Sequence, residues 1–313
     1  MSETQPASEG MAGRETGMSG VFKRFASRRL AATSAGLLAL FVWLVILWPW
    51  IEPHHPYALG DAQFAPPGGR HWGGTDVHGR DLLTRMMHGA SMSLMVGAAG
   101  ALVSLVIGVS WGAVAGYSGG RVDALMMRGV DVLYSLPSII FVVVLITTLE
   151  SALKQWFSKA FSTEFAASTR FLLLFFGLGS VSWLTMARIV RGQVLSLKNR
   201  SFVAASRVLG ASHLHILRHH ILPNVWGIVI VYLTLTVPSV VLYESFLSFL
   251  GLGVQPPQAS LGSLIAEGAS QINSVRIYWW LIAFPSAMLA SILLALSVVG
   301  DGLRESLEVR NRE

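Results

Sequence analysis

Long runs without a charged residue alternate along this chain with short basic segments. Residues 31–51 contain no Asp, Glu, Lys or Arg, and 86–120 are equally bare apart from one His. Runs over 132–149, 171–187, 221–243 and 277–300 complete a set of six. A helix that crosses a bilayer needs about 20 mostly apolar residues. The pattern therefore predicts six spans, over about 31–51, 92–117, 132–149, 171–191, 222–246 and 277–300. A seventh bare stretch, 245–266, is interrupted by Gly251, Gly253, Pro256 and Pro257. It reads as the end of span five followed by an outside loop. The first run exceeds the apolar core of a signal peptide. Trp48, Pro49 and Trp50 follow it where small residues would mark a cleavage site, so it reads as an uncleaved anchor. The chain is thus expected to be an all-α polytopic membrane protein. A tail over 1–28 precedes a six-span domain over 29–309, and a short tail covers 310–313.

Composition agrees with this division. The 313 residues are 53% hydrophobic and 13% charged, about half the charge of a soluble domain. A net charge of +6 would suit nucleic acid, but the position of the charges decides otherwise. Six spans put both termini on one side. That side holds sixteen of the 23 Lys and Arg residues, and the other side holds seven. Excess Lys and Arg mark cytoplasmic segments, which places both termini in the cytoplasm and makes the charge a matter of topology. No cysteine is present, which excludes disulfides and cysteine–zinc sites. No G-x-x-x-x-G-K-[ST] phosphate loop occurs either, so energy from ATP has to come through a partner.

One segment stands apart. From 165 to 243 there is no Asp or Glu, and the polar middle of that stretch, 188–223, cannot span a membrane. Phe202, Ala205, Val208, Leu209, Leu214 and Leu217 recur at helical spacing. Ala204, Ala205, Ser206, Gly210, Ala211 and Ser212 give a small-residue face that a partner helix or groove could approach closely. The competing reading is a basic amphipathic helix resting on lipid headgroups.

The same segment resembles the signature loop of the membrane subunits of ABC importers. In that family Glu-Ala-Ala, three residues and Gly are followed thirteen positions later by the Pro of a Leu-Pro pair. Here Gly210 and Pro223 keep the interval, while Ala204 stands where the Glu is usual and Ser206 where the second Ala is usual. Further blocks are similar to the peptide-importer branch. They are Gly74-Thr75-Asp76 with Gly79-Arg80-Asp81, Gly120-Arg121 with Asp123, Trp183 through Arg188 to Arg191, Glu244-Ser245-Phe246 with Gly253 and Gln255, and Gly300-Asp301-Gly302. They follow the family's order across most of 25–309. Ser91, Leu261 and Ser297 depart from it. The chain is identified as similar to the C-type permease subunit of oligopeptide and dipeptide importers, nearest the oligopeptide branch.

The resemblance implies a type I importer permease fold with a cytoplasmic coupling helix in the loop 195–222. It also implies two ABC ATPase subunits, a second homologous permease subunit in a heterodimer, and a periplasmic or lipoprotein peptide-binding protein. ATP and magnesium would bind the ATPases, and this chain would hold no cofactor, no metal and no catalytic residue. Ala204, Ala205, Ser206, Arg207, Gly210, Ala211, Ser212 and Pro223 would form the ATPase-coupling element. Gly210 would break or bend its helix, and Pro223 would mark the start of span five. The expected cargo is an oligopeptide; dipeptides, glutathione, nickel chelates and peptide antibiotics suit the same fold.

Among single residues, Glu244 is the one acid in span five and is the candidate on the substrate path. Asp76, Arg80 and Asp81 are expected to order the outer approach to span two. Asp131 is expected to pair with Arg128 or to cap a helix. His213, His215, His219 and His220 read as a solvated basic face, because no acid or Cys accompanies them. Gly116-Tyr117-Ser118-Gly119 mimics an intramembrane protease motif, but no histidine follows His220 to act as the base. An ion-driven secondary transporter would need charged residues within the spans, which are almost bare.

Overall fold

The computed structural model describes residues 24–160, 169–273 and 276–308. Most of the expected tails, with Arg14, Lys23, Arg310 and Arg312, lies outside them, as do the side chains of Lys154, Lys159 and Arg170. The described elements are helical: α1 (Arg29–Ile51), α2 (Leu82–Ser118), α3 (Gly120–Tyr134), α4 (Ser138–Ala160), α5 (Thr169–Lys198), α6 (Ser201–Val208), α7 (His213–His215), α8 (Leu222–Phe249), α9 (Leu261–Ser270) and α10 (Trp280–Glu308). A π-helical turn, Ile216–Ile221, joins α7 to α8. Five of the described helices are long and apolar enough to cross a membrane; the bent pair α3 and α4 passes the same test only when its two helices are taken together as one broken span.

That pair departs from the expected third span over 132–149. Residues 132–134 close α3, and α4 leaves at 87° to it. Pro137 sits just before α4. It offers no N–H to continue the helix and disfavours helical backbone at Leu136. The reading of 245–266 as a span end plus a loop also needs correction in its second half. Ser260 and Ser263 form a reciprocal capping box that opens α9. Leu261 and Leu264 of α9 are then buried against the bundle.

The centre of the fold is the α2–α5 pair. Gly108, Gly112 and Gly116 recur every four residues and form one face of α2. A Cβ on Gly112 would lie 2.9 Å from the Val190 Cβ, and one on Gly116 would lie 2.9 Å from the Val194 Cβ. Glycine therefore lets the two backbones meet, which is how helices associate where the solvent offers no hydrophobic drive. Around this pair, Val96, Leu174, Leu178, Val240 and Leu247 join α2, α5 and α8 into one core. Met186, Val190, Val194, Val203, Ile216 and Val225 make a second core toward the α6 end. α1 and α10 pack on the side of the bundle, and Leu37, Trp43 and Leu294 remain exposed there for an apolar surrounding.

Candidate functional site

Two polar ends cap this bundle. At the first, α6 is anchored by Val203, which is fully buried beside Ile216 and Ile221. Its other faces point away: Ala204, Ala205 and Arg207 are exposed, and Ser206 is half-buried with its hydroxyl donating to the Phe202 carbonyl at 3.0 Å. Val208 and Leu209 are 88% and 87% exposed.

The chain then turns sharply. The Gly210 N–H donates to the Arg207 carbonyl and the Ala211 N–H to the Ser206 carbonyl, both at 3.1 Å. This is a Schellman ending, and it requires a left-handed residue after the cap. Gly210 supplies it with φ at +83°. Gly210 thus ends the helix as expected. Half-buried Ala211 follows, and Ser212 restarts helical structure by accepting from the His215 N–H at 3.3 Å.

Pro223 is the second residue of α8 and so stands at the expected start of span five. The helical rod already starts at His213, and Pro223 lies just past the π turn. The Leu222 N–H reaches back five residues to the Leu217 carbonyl. That wider turn accommodates the proline ring, which would clash in a tight α ladder. Tyr117 hydrogen-bonds His213 at 2.9 Å, and Lys198 donates to the Tyr117 carbonyl, tying the α2 end to this segment. His215 and His219 stack with centroids 4.3 Å apart and are exposed.

Ion pairs lock α3 against α5 close by. Arg191 holds Asp123 through two contacts at 2.5 and 2.7 Å. Asp131 pairs with Arg188 at 2.7 Å, not with Arg128 as expected. Position 128 is on the same helix as 131, but the sequence gives no register for α5, which brings in a residue 57 positions away.

At the opposite end, the approach to α2 is organised by Asp76. One of its oxygens accepts from the His78 and Arg80 N–H groups at 2.8 and 3.0 Å. The other accepts from the Arg80 Nε and the Arg85 Nη1, each at 2.6 Å. Asp81 caps α2 by accepting from the Thr84 N–H at 2.9 Å, and its second oxygen faces His71 at 3.0 Å. Asp76, Arg80 and Asp81 thus order this entry. The two residues missed are Arg85 and Glu267. Buried Arg85 bridges Asp76 to Glu267, with contacts to Glu267 at 2.6 and 3.0 Å. The available signal was that Glu267 is the sole acid over 245–300. His54, His71 and Asp81 offer ligand atoms within 4.8 Å of one another. Both Asp81 oxygens are already engaged, one in the cap and one with His71.

Glu244 is fully buried. Ser93 and Ser248 donate to its two oxygens at 2.8 and 2.6 Å, and the Ser248 hydroxyl accepts from the Val254 N–H at 3.0 Å. These bonds fasten α2, α8 and the turn after α8 to one another. Its neighbour Tyr243 lines a cleft among α4, α5 and α8, and Glu244 does not.

A family model described as "Binding-protein-dependent transport system inner membrane component" matches residues 108–313. The chain is 40% identical to the oligopeptide transport system permease protein OppC of Haemophilus influenzae, over 93% of this chain and 88% of that one. Identity to the Escherichia coli protein of the same name is 43%, over 93% and 90%. The dipeptide transport system permease protein DppC of Bacillus subtilis is 39% identical, over 93% and 85%. Among solved structures, the inward-facing MetNI methionine ABC transporter superposes with a TM-score of 0.54 at 19% identity. That match covers 72% of this chain and 97% of that one, and it carries the fold.

Proposed function

The chain belongs to the family of binding-protein-dependent transport system inner membrane components, and on that footing we propose that it is the membrane-spanning permease subunit of an ATP-driven oligopeptide importer. The family and the apolar helices make it a multi-pass membrane protein. The finer reading puts it in the bacterial inner membrane with both termini in the cytoplasm. The α6 end carries the acid-free basic segment, and Leu307 near the end of α10 lies beside Gly227 near the start of α8. The charge bias and the shared position of these ends support the same orientation.

The observation that carries the mechanism is the exposed rim of α6. Val208 and Leu209 are apolar and open at a polar end of the molecule, while Val203 roots the same helix in the core. With Phe202 and Leu214 also exposed in the same segment, Val208 and Leu209 form an apolar patch at a water-facing end, of the kind that a partner covers. Two ABC ATPase subunits supply that partner, one on this chain and one on a second, homologous permease. ATP and magnesium bind the ATPases, and this chain performs no chemistry. When the ATPases close, the force enters at Ala204 to Ser212 and passes through Val203 into α5 and α8. Helices packed through glycine then move as rigid bodies between two arrangements. An external binding protein delivers the peptide at the Asp76–Arg85–Glu267 end.

The test is uptake into proteoliposomes. The chain reconstituted with its ATPases, the second permease and the binding protein should accumulate a tripeptide to pentapeptide only with ATP. Peptide uptake by the chain without any ATPase would overturn the reading. A complex restricted to two-residue peptides would move it to the dipeptide branch.

A further inference from the structure

A cleft of about 300 Å³ lies among the α3–α4 turn, α5 and α8 and is open along one side. Its lining is mostly hydroxylated and contains no charged residue. Along α8 the lining positions are Tyr232, Leu235, Thr236, Ser239 and Tyr243, which share one helix face. That stripe is about 16 Å long at 1.5 Å per residue. An extended peptide covers the same distance with about five residues.

The hydroxyls divide into two groups. Those of Ser182, Thr236 and Ser239 donate to carbonyls of their own helices at 3.1, 2.7 and 3.2 Å, leaving their lone pairs free. Those of Tyr134, Ser138, Thr185, Tyr232 and Tyr243 have no hydrogen-bond partner among the described residues, and none is a buried orphan. A wall of unpartnered hydroxyls facing lipid hydrocarbon would be costly, because nothing there replaces water as a partner. The cleft therefore faces water or a polar ligand.

We propose that this cleft is one wall of the peptide passage and binds the main chain of the cargo. The inference rests on the importer reading above and adds the chemistry of recognition. A hydroxyl both donates and accepts, so a row of them matches alternating N–H and C=O groups whatever the side chains are. A fixed charge would favour one class of side chain and hold it too tightly. The nearest acidic and basic side chains are kept out of the row. Glu244 is turned inward onto serines, and Arg188 is paired with Asp131 beneath the Tyr134 ring. The open side is closed by the second permease, which supplies the opposite wall.

The absence of cysteine makes the test direct. In the complete reconstituted complex, Thr236→Cys and Ser239→Cys should react with a water-soluble methanethiosulfonate reagent, and penta-alanine with ATP should slow that reaction. Leu294→Cys, on the exposed apolar face of α10, should show no such protection. The triple variant Thr185→Val, Tyr232→Phe, Tyr243→Phe should take up penta-alanine about tenfold more slowly or worse. Its thermal unfolding and its co-purification with the ATPases should match wild type. Penta-alanine with N-methylated amides should be a poor cargo for the wild-type complex. Wild-type uptake by the triple variant, or reagent access that peptide never alters, would overturn the cleft assignment while leaving the importer reading standing. If the unaltered complex accumulates no peptide, both readings fall.

Discussion

The Arg85 guanidinium is 3% exposed and lies between the carboxylates of Asp76 and Glu267. Those two acids come from the approach to α2 and from α9, so one side chain joins segments 182 positions apart. Removing one partner of a buried ionic set is severe, because the remaining charges keep their desolvation cost. Arg85→Ala should lower stability by about 3–5 kcal/mol. Glu267 is 37% exposed on its side chain, and water can serve its partners. Glu267→Gln should therefore cost only about 1 kcal/mol. Thermal unfolding of the detergent-solubilised complex measures both. Equal losses for the two variants would show that Arg85 depends on Glu267 and that Asp76 does not hold it alone. Asp76, Arg80 and Asp81 stood out because they fall within one short block similar to the peptide-importer family. Nothing local to Arg85 indicated its long-range partner.

At the level of elements, the spacing of small residues makes a sharper claim than overall hydropathy does. Gly112 faces Val190 and the backbone of Arg191 at distances that leave no room for a side chain. Gly112→Leu should cost about 1–3 kcal/mol by forcing α2 and α5 apart. Gly36 of α1 has nothing within 4 Å of its Cβ position, and Gly36→Ala should be neutral or slightly stabilising. Melting temperatures of the two variants, read side by side, check the contrast.

The apolar runs located the spanning helices because hydrocarbon demands length and low charge. They could not locate elements whose limits depend on other rules. The turn at Pro137 divides a run that carries no charge from 132 to 149. α9 hides inside a bare stretch because its capping box is built from two serines and its purpose is to bury Leu261 and Leu264. The early start of the rod at His213 depends on a π turn, and hydrophobic periodicity carries no signal for one. The hydroxyl stripe on α8 was legible in principle. Tyr232, Thr236, Ser239 and Tyr243 keep helical spacing, but polar residues on one face acquire meaning only when α5 is set opposite them.

For the molecule as a whole, the question is how a push at one end reaches the passage. The α6 segment has two kinds of apolar residue, and they separate docking from transmission. Val203 is fully buried in the cluster shared by α2, α5, the π turn and α8. Leu209 is 87% exposed at the same end. Leu209→Asp removes nothing from the core and adds a charge to the open rim. The isolated chain should unfold at the wild-type temperature, while co-purification with the ATPases and ATP-driven uptake fall about tenfold or more. Val203→Asp buries an unpaired carboxylate and should lower the unfolding temperature of the isolated chain as well. Val203→Ala is the informative intermediate. It keeps the rim and the backbone but leaves a cavity under α6, at a cost of about 1–3 kcal/mol. ATPase binding should then persist while uptake per ATP hydrolysed drops, because the helix that is pushed no longer bears firmly on α5 and α8. Unchanged coupling in Val203→Ala would show that force enters through the Tyr117–Lys198–His213 contacts instead.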